Sequence, residues 1–203
     1  MGTKQRISEA CNIQFYQTLK SKARIKVHQG GTRSGKTYAI CQYLVYKLTT
    51  EKDPLVISIV RKTLPALKGS VQRDLIGIMQ RLGVYYLGVH NKAENTFKYN
   101  GHTIEFLSVD EPQKIRGRKR DICFINEANE LHYEDYRQLN MRTTQEIIID
   151  FNPSDPVHWL YSELIDSERD DVETWVTTYS DNKFLSPEPV TYTQLTLPTN
   201  REW

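Results

Sequence analysis

The residues best equipped for chemistry lie between Val27 and Ile40, in the run VHQGGTRSGKTYAI. Within it Gly30, Gly31, Thr32, Arg33, Ser34, Gly35, Lys36 and Thr37 meet the spacing G-x-x-x-x-G-K-[ST] at every fixed position. A loop that wraps a phosphate chain must turn its amides inward, which needs unusual backbone angles and close approach; glycine permits both. A helix starting at Lys36 would add its N-terminal amides and the positive end of its dipole. The pattern predicts a site for ATP with Mg2+. Lys36 would bridge the β- and γ-phosphates and the Thr37 hydroxyl would ligate the metal. On this reading the glycines are there to admit a triphosphate.

A phosphate loop alone does not separate a kinase from a GTPase or a motor. DICFINEANE (121–130) is the candidate for the other half of the site. An apolar strand ending in an acidic pair is how P-loop ATPases present a magnesium-associated Asp and a Glu that activates water. Here the pair is Asn126-Glu127. Glu127 is in place as the base, while Asn126 is an amide that reaches the metal through a bound water and supplies no charge. The bland alternative is a strand that simply ends in polar residues. No guanine-reading N-K-x-D occurs, which argues against a GTPase.

Three further groups read in two ways. Arg33, inside the loop, is either an arginine acting in cis on the transferring phosphoryl charge or a solvated loop arginine. Asp150-Phe151-Asn152-Pro153 ends an apolar run at the edge where ligands collect in open α/β sheets. Asn152 either senses the γ-phosphate and attacking water or belongs to a turn, since Asn-Pro is a turn signal. KIRGRKR (114–120) carries five positive charges in seven residues. It is either a solvated loop or a surface where Arg116, Arg118, Lys119 and Arg120 meet a phosphate backbone, with Arg61-Lys62 adding to the same face.

These groups need a frame to hold them. RIKVH (24–28) alternates as a short strand, and Lys36 to about Leu48 repeats apolar residues at helical spacing. PLVISIV (54–60), ICFI (122–125) and EIIIDF (146–151) are near-continuous apolar runs, the pattern of strands buried on both faces. Residues 66–82, Leu131 to about Met141, and 156–166 read as helices, and DVETWVTTYS (171–180) has strand character. In TFKYNGHTIEFLSV (96–109), Asn100-Gly101 between two alternating runs suits a two-residue type I′ hairpin turn. The fold class expected is α/β: a mainly parallel sheet with helices on both faces and an antiparallel hairpin insertion.

Composition sets the outer bounds. The chain has 203 residues, with 38% hydrophobic and 26% charged, ordinary values for a globular protein with a real core. A net charge of +2 does not by itself argue for nucleic acid, so a basic partner site must be local. The three cysteines are widely spaced and the five histidines scattered, which fits free thiols in a reducing compartment rather than a disulfide frame or metal cluster. No apolar run approaches membrane-spanning length, and the opening MGTKQRISEACN lacks the apolar centre of a signal peptide. Residues 186–203, with three prolines and four threonines, read as an extended or loosely packed tail.

GGTRSGKT, SVDEPQKIRGRKRDICFINEANE and IIIDFNPSDPVHWLY, in that order and spacing, resemble the ATPase domain of tailed-phage terminase large subunits, nearest the PBSX-like group of defective and temperate prophages. The resemblance runs from about residue 12 to 183. It implies a P-loop fold of the ASCE type, with an extra strand between the phosphate-loop strand and the Glu127 strand. It implies a motor that couples ATP hydrolysis to driving double-stranded DNA into a procapsid, as a homo-oligomeric ring with the portal protein and a small terminase subunit, in the cytoplasm of an infected or lysogenic bacterium. Carried over by position, Lys36 and Thr37 match the loop pair, Arg33 the cis-acting arginine and Glu127 the catalytic glutamate. Asp150 to Pro153 match the segment that couples hydrolysis to DNA movement, and the stretch near Phe15 and Gln17 falls where the family contacts adenine. Two departures follow: Asn126 stands where the family usually has Asp, and no room remains for the family's C-terminal nuclease. The expectation is an ATPase domain over 1–185 without DNA cleavage, monomeric in isolation. The competing readings are a nucleotide-binding module with negligible turnover and another P-loop DNA-remodelling ATPase.

Overall fold

The computed structural model describes residues 11–86 and 89–185. The 186–203 tail lies outside the described residues. The chain begins with α1 (Ile13–Lys20), a short helix that the sequence pattern did not announce. β1 (Ile25–Gly30) then runs into the glycine loop, and α2 (Lys36–Thr50) leaves it. β2 (Val56–Arg61) is followed by α3 (Leu64–Leu67), a π turn (Lys68–Gln72) and α4 (Arg73–Arg81). β3 (His90–Asn91), β4 (Thr96–Tyr99) and β5 (His102–Ser108) come next. α5 (Pro112–Arg116), β6 (Arg120–Ile125), α6 (Tyr133–Asn140), β7 (Thr143–Phe151) and β8 (Val172–Thr177) complete the frame.

The described strands form one sheet in the order β3-β4-β5-β2-β6-β7-β1-β8. All neighbours from β5 to β8 pair in parallel, and β3-β4 and β4-β5 pair antiparallel. The β4-β5 turn has Asn100 at φ 47° and Gly101 at φ 83°, the two left-handed residues that a type I′ turn requires. The hairpin is no appendage, however: β5 also lies parallel to β2 and extends the main sheet. β7 sits between β1 and β6, which is the strand order the resemblance implies.

Two apolar layers sandwich the sheet. Ile57, Ile59, Ile122, Phe124 and Ile148 pack with Phe15, Ile40, Leu44, Leu67, Val71 and Met79 on one face. Val27, Val60, Cys123, Ile125, Ile147 and Ile149 pack with Tyr136, Leu139, Leu160 and Leu164 on the other. Alternate residues of β6 and β7 thus feed opposite layers, as strands buried on both sides must.

β1 departs from the expected alternation. Lys26 and His28 are as buried as Ile25 and Val27. Lys26 Nζ is 2.7 Å from Glu146 Oε2, and the His28 ring lies 2.8 Å from Thr18 Oγ1 and stacks on Trp175. The segment expected as a helix over 156–166 is shorter, with its last turn in π geometry at Tyr161–Ile165. Pro153 and Pro156 push the residues before them away from helical angles, and Asp155 Oδ1 accepts from the Val157 amide to close a local turn instead. Among the described residues no helix is long and apolar enough to cross a membrane. All three cysteines are buried and unpaired with one another.

Candidate active site

In a parallel sheet every strand delivers its C-terminal end to one edge. At that edge β1 gives way to the glycine loop, β2 ends at Arg61, β6 runs on into Asn126-Glu127, and β7 ends at Asp150-Phe151. The β6-β7 register pairs Ile125 with Ile149, so Asn126 stands level with Asp150. A slip of one residue would turn that pair to opposite faces.

Lys36 lies inside the loop it belongs to, only 6% exposed. Its ammonium donates to the carbonyls of Gly30 (2.7 Å) and Gly31 (3.0 Å), to Ser34 Oγ (3.2 Å) and to Asn152 Oδ1 (3.0 Å). Asn152 Nδ2 in turn lies 3.5 Å from Glu127 Oε1, so one amide spans the loop lysine and the glutamate. Glu127 takes left-handed backbone angles at φ 51°, a conformation that costs a non-glycine residue free energy and clusters at functional sites. Burial, then the neighbouring Asp150 charge, raises its carboxyl above the ordinary glutamate value, with Lys36 and Arg61 opposing. Burial lowers Lys36, and Asp150 and Glu127 pull it back up.

Asp150 joins the loop to β6. Its Oδ2 accepts from Thr37 Oγ1 at 2.5 Å, and its Oδ1 accepts from Asn126 Nδ2 and from the Glu127 amide, both at 2.8 Å. It is 1% exposed, and burial raises its carboxyl despite those donors. Asn126 Oδ1 is buried and has no hydrogen-bond partner. Arg33, exposed at φ 67°, tops the loop with its carbonyl bound by Asn182 Nδ2 at 2.9 Å.

The loop is braced from both ends of the chain. Gln14 Nε2 donates to the Ser34 carbonyl at 2.9 Å, and Asn12 Nδ2 donates to Asn182 Oδ1 at 3.0 Å. A Cβ on Gly35, at φ 83°, would meet Asn12 Nδ2 at 2.5 Å. A Cβ on Gly30 would meet the Thr177 carbonyl at 2.0 Å, whereas one on Gly31 would meet nothing within 4 Å. The Thr177 backbone therefore excludes a side chain at Gly30, and the left-handed angle strains one at Gly35, which corrects the idea that all the glycines serve only to admit phosphate. Phe15 is buried against Tyr16 and Tyr46, and Gln17 Oε1 is buried without a partner.

The basic run does not gather as expected. Arg120 is 1% exposed, its guanidinium donating to the carbonyls of Ile115 and Arg118 at 3.1 Å each, so it is a structural arginine and not a phosphate contact. Arg118 is held by the buried carboxylate of Glu105 at 2.7 Å while keeping half its side chain exposed. Arg116 and Lys119 are exposed. Arg61 belongs to a different place. The run precedes β6 at one edge of the sheet, but Arg61 ends β2 at the other, forked onto Glu130 at 3.0 and 3.3 Å and bonded to Ser70 Oγ in the π turn. It shares the site of Glu127 and Asp150, whose charges it feels. Arg61 and the braces Asn12, Gln14 and Asn182 carry no local motif. Nothing short of the fold brings them to the loop.

The phage terminase large-subunit family matches residues 22–201. That match extends beyond residue 183, the end of the resemblance carried by the motifs. Among solved structures, the large terminase of a thermophilic bacteriophage superposes with a TM-score of 0.75 at 19% identity, covering 87% of this chain and 48% of that one. The same phage protein in complex with ATP-gamma-S gives 0.73 at 20% identity, covering 87% and 47%. The large terminase ATPase domain of Thermus phage P74-26 gives 0.60 at 15% identity, covering 80% and 78%. The chain thus spans about half the length of the first of these terminases. No curated protein sequence matches.

Proposed function

The chain belongs to the phage terminase large-subunit family, and from that premise we propose that it hydrolyses ATP and couples the cycle to moving double-stranded DNA. The observation that carries the reading is the bridge from Lys36 through Asn152 to Glu127 at the C-terminal edge of a parallel sheet. A cation for phosphate, a base for water and an amide touching both meet at one point.

In this reading the loop from Gly30 to Thr37 wraps the triphosphate and Lys36 neutralises its β- and γ-phosphates. Glu127 accepts a proton from the attacking water as its oxygen bonds to the γ-phosphorus and the bond to the β-bridging oxygen breaks, releasing ADP and phosphate. Its raised carboxyl makes it a stronger base than an exposed glutamate. Asn152 reports the event, because any movement of Lys36 or Glu127 pulls on the same side chain. Arg33 supplies a second positive charge from the loop. Among the described residues no group of three or more His, Cys, Asp and Glu side chains is placed to hold a metal. A magnesium nucleotide needs none, since phosphates and waters complete its shell. The donors that are present suit it: the Thr37 hydroxyl, the Asp150 carboxylate and the unpartnered Asn126 Oδ1 are all hard oxygens. When bound, Mg2+ would neutralise charge on the β- and γ-phosphates. Arg116, Arg118 and Lys119 remain as DNA contacts, and a ring on a portal with a small subunit is the assembly the family suggests.

The second reading, a binding module with negligible turnover, draws on Asn126. One experiment separates the two: ATP turnover by the purified chain, with and without linear double-stranded DNA, beside Glu127→Gln and Lys36→Ala. Hydrolysis lost in both variants and stimulated by DNA is the expected result. Wild-type chain that binds ATP yet turns it over no faster than Glu127→Gln would overturn the hydrolytic reading in favour of the binding module.

A further inference from the structure

The geometry points to Asp150, on β7, as the carboxylate that serves the magnesium ion of the nucleotide, in place of the residue at the end of β6. The inference rests on the nucleotide reading above and deepens it.

The β6 position that ought to carry the charge holds Asn126, whose amide cannot supply one. The neighbouring strand brings a carboxylate to the same spot, because the register that pairs Ile125 with Ile149 sets Asp150 beside Asn126. The contact that identifies its role is the one with Thr37. A hydroxyl that gives its oxygen lone pair to a cation must send its hydrogen elsewhere, and a carboxylate is the strongest acceptor for it. Thr37 Oγ1 donates to Asp150 Oδ2, which leaves the hydroxyl oxygen free to face a metal. Asn126 keeps its part as a water-shell group: its Nδ2 holds Asp150, and its Oδ1, in a residue 2% exposed, is an acceptor with no donor. A magnesium-bound water is a donor of the right kind.

Charge points the same way. Asp150 and Glu127 place two carboxylates against the single ammonium of Lys36, while Arg61 is paired with Glu130. The cluster is one positive charge short before any nucleotide arrives. A divalent cation gives the buried carboxylate its counter-charge.

The test reads metal dependence of binding, not turnover. Affinity for ATP-gamma-S is measured by calorimetry with Mg2+ and with a chelator, for wild type, Asp150→Asn and the swap Asn126→Asp/Asp150→Asn. In wild type Mg2+ tightens binding. In Asp150→Asn the ratio of affinity with Mg2+ to affinity without it falls by about tenfold or more. The swap recovers it, with the carboxylate returned to β6. Undiminished tightening in Asp150→Asn overturns the proposal, and so does a folded swap variant that binds nucleotide without it. Should Asp150→Asn lose its fold, the swap alone decides. Wild type that binds no ATP-gamma-S under either condition refutes the nucleotide reading itself, a distinct result.

Discussion

Replacing Gly30 by alanine tests whether the first glycine of the phosphate loop is there for phosphate or for packing. The added Cβ would lie 2.0 Å from the Thr177 carbonyl oxygen and 2.8 Å from Thr177 Oγ1, where ordinary contact begins at 3.4 Å. The obstacle is backbone, so no side-chain rotation relieves it; β8 must retreat by more than about 1 Å. Gly30 and Thr177 are the last pair of the β1-β8 register, and the chain continues through a turn (Tyr179–Asp181) to Asn182, which braces Arg33 and Asn12. Retreat therefore costs strand pairing and loop bracing together. Overpacking of this kind destabilises by about 2–4 kcal/mol. In a domain of this size that lowers the melting temperature by roughly 5–15 °C. Gly31→Ala is the control, since its Cβ meets nothing within 4 Å and its φ is not positive. Its stability should stay within about 0.5 kcal/mol of wild type, with any effect confined to nucleotide affinity. The assay is thermal and urea unfolding of both variants without nucleotide. Equal stability of Gly30→Ala and Gly31→Ala would refute the packing argument and return both glycines to phosphate alone.

Three further outcomes are expected. Burial, with Lys36 and Lys26 nearby, pushes His28 down to about 3, so below about pH 6.5 the unfolded chain takes up a proton that the folded chain refuses. Stability should be full above that value and fall by about 1.4 kcal/mol per pH unit down to about pH 3; urea midpoints against pH, flattened in His28→Gln, check it. Arg120→Ala, which leaves one buried and one half-buried carbonyl without their donor, should cost about 2–4 kcal/mol. Lys119→Ala should leave unfolding unchanged and lower the salt dependence of DNA binding by about one ion; comparable unfolding in the two variants would contradict the burial of Arg120. Because Glu127 is raised and must be deprotonated to act, turnover should rise with pH through a value above about 4.3, the ordinary glutamate range. A pH–rate profile flat across that range would remove it as the base.

What was legible from sequence is what depends on neighbours along the chain. A phosphate loop is eight consecutive residues between a strand and a helix, so its spacing carries its geometry, and Glu127 and Asn152 were reachable because each ends an apolar run. The type I′ turn at Asn100-Gly101 was legible for the same reason: both backbone angles belong to two adjacent residues. The alternation read into β1 misled because Lys26 and His28 look solvent-facing until Glu146 and Thr18 are known to meet them. KIRGRKR looked like one surface because charge is visible in sequence and burial is not; Arg120 points inward and Arg118 is held by Glu105.

By itself, then, the sequence determined a loop with phosphate-binding spacing, a glutamate at the end of an apolar strand and a mainly parallel sheet to hold them, since periodicity and motif spacing are local properties. The tertiary structure decided which charges the loop meets. Strand order placed β7 between β1 and β6, and register set Asp150 against Asn126 and Thr37, residues 24 and 113 positions away. The same fold carried Asn12 and Asn182, 170 positions apart, to one side of Gly35. Such contacts come from the pairing of whole strands and the docking of chain ends, and no pattern in the residues nearby encodes them.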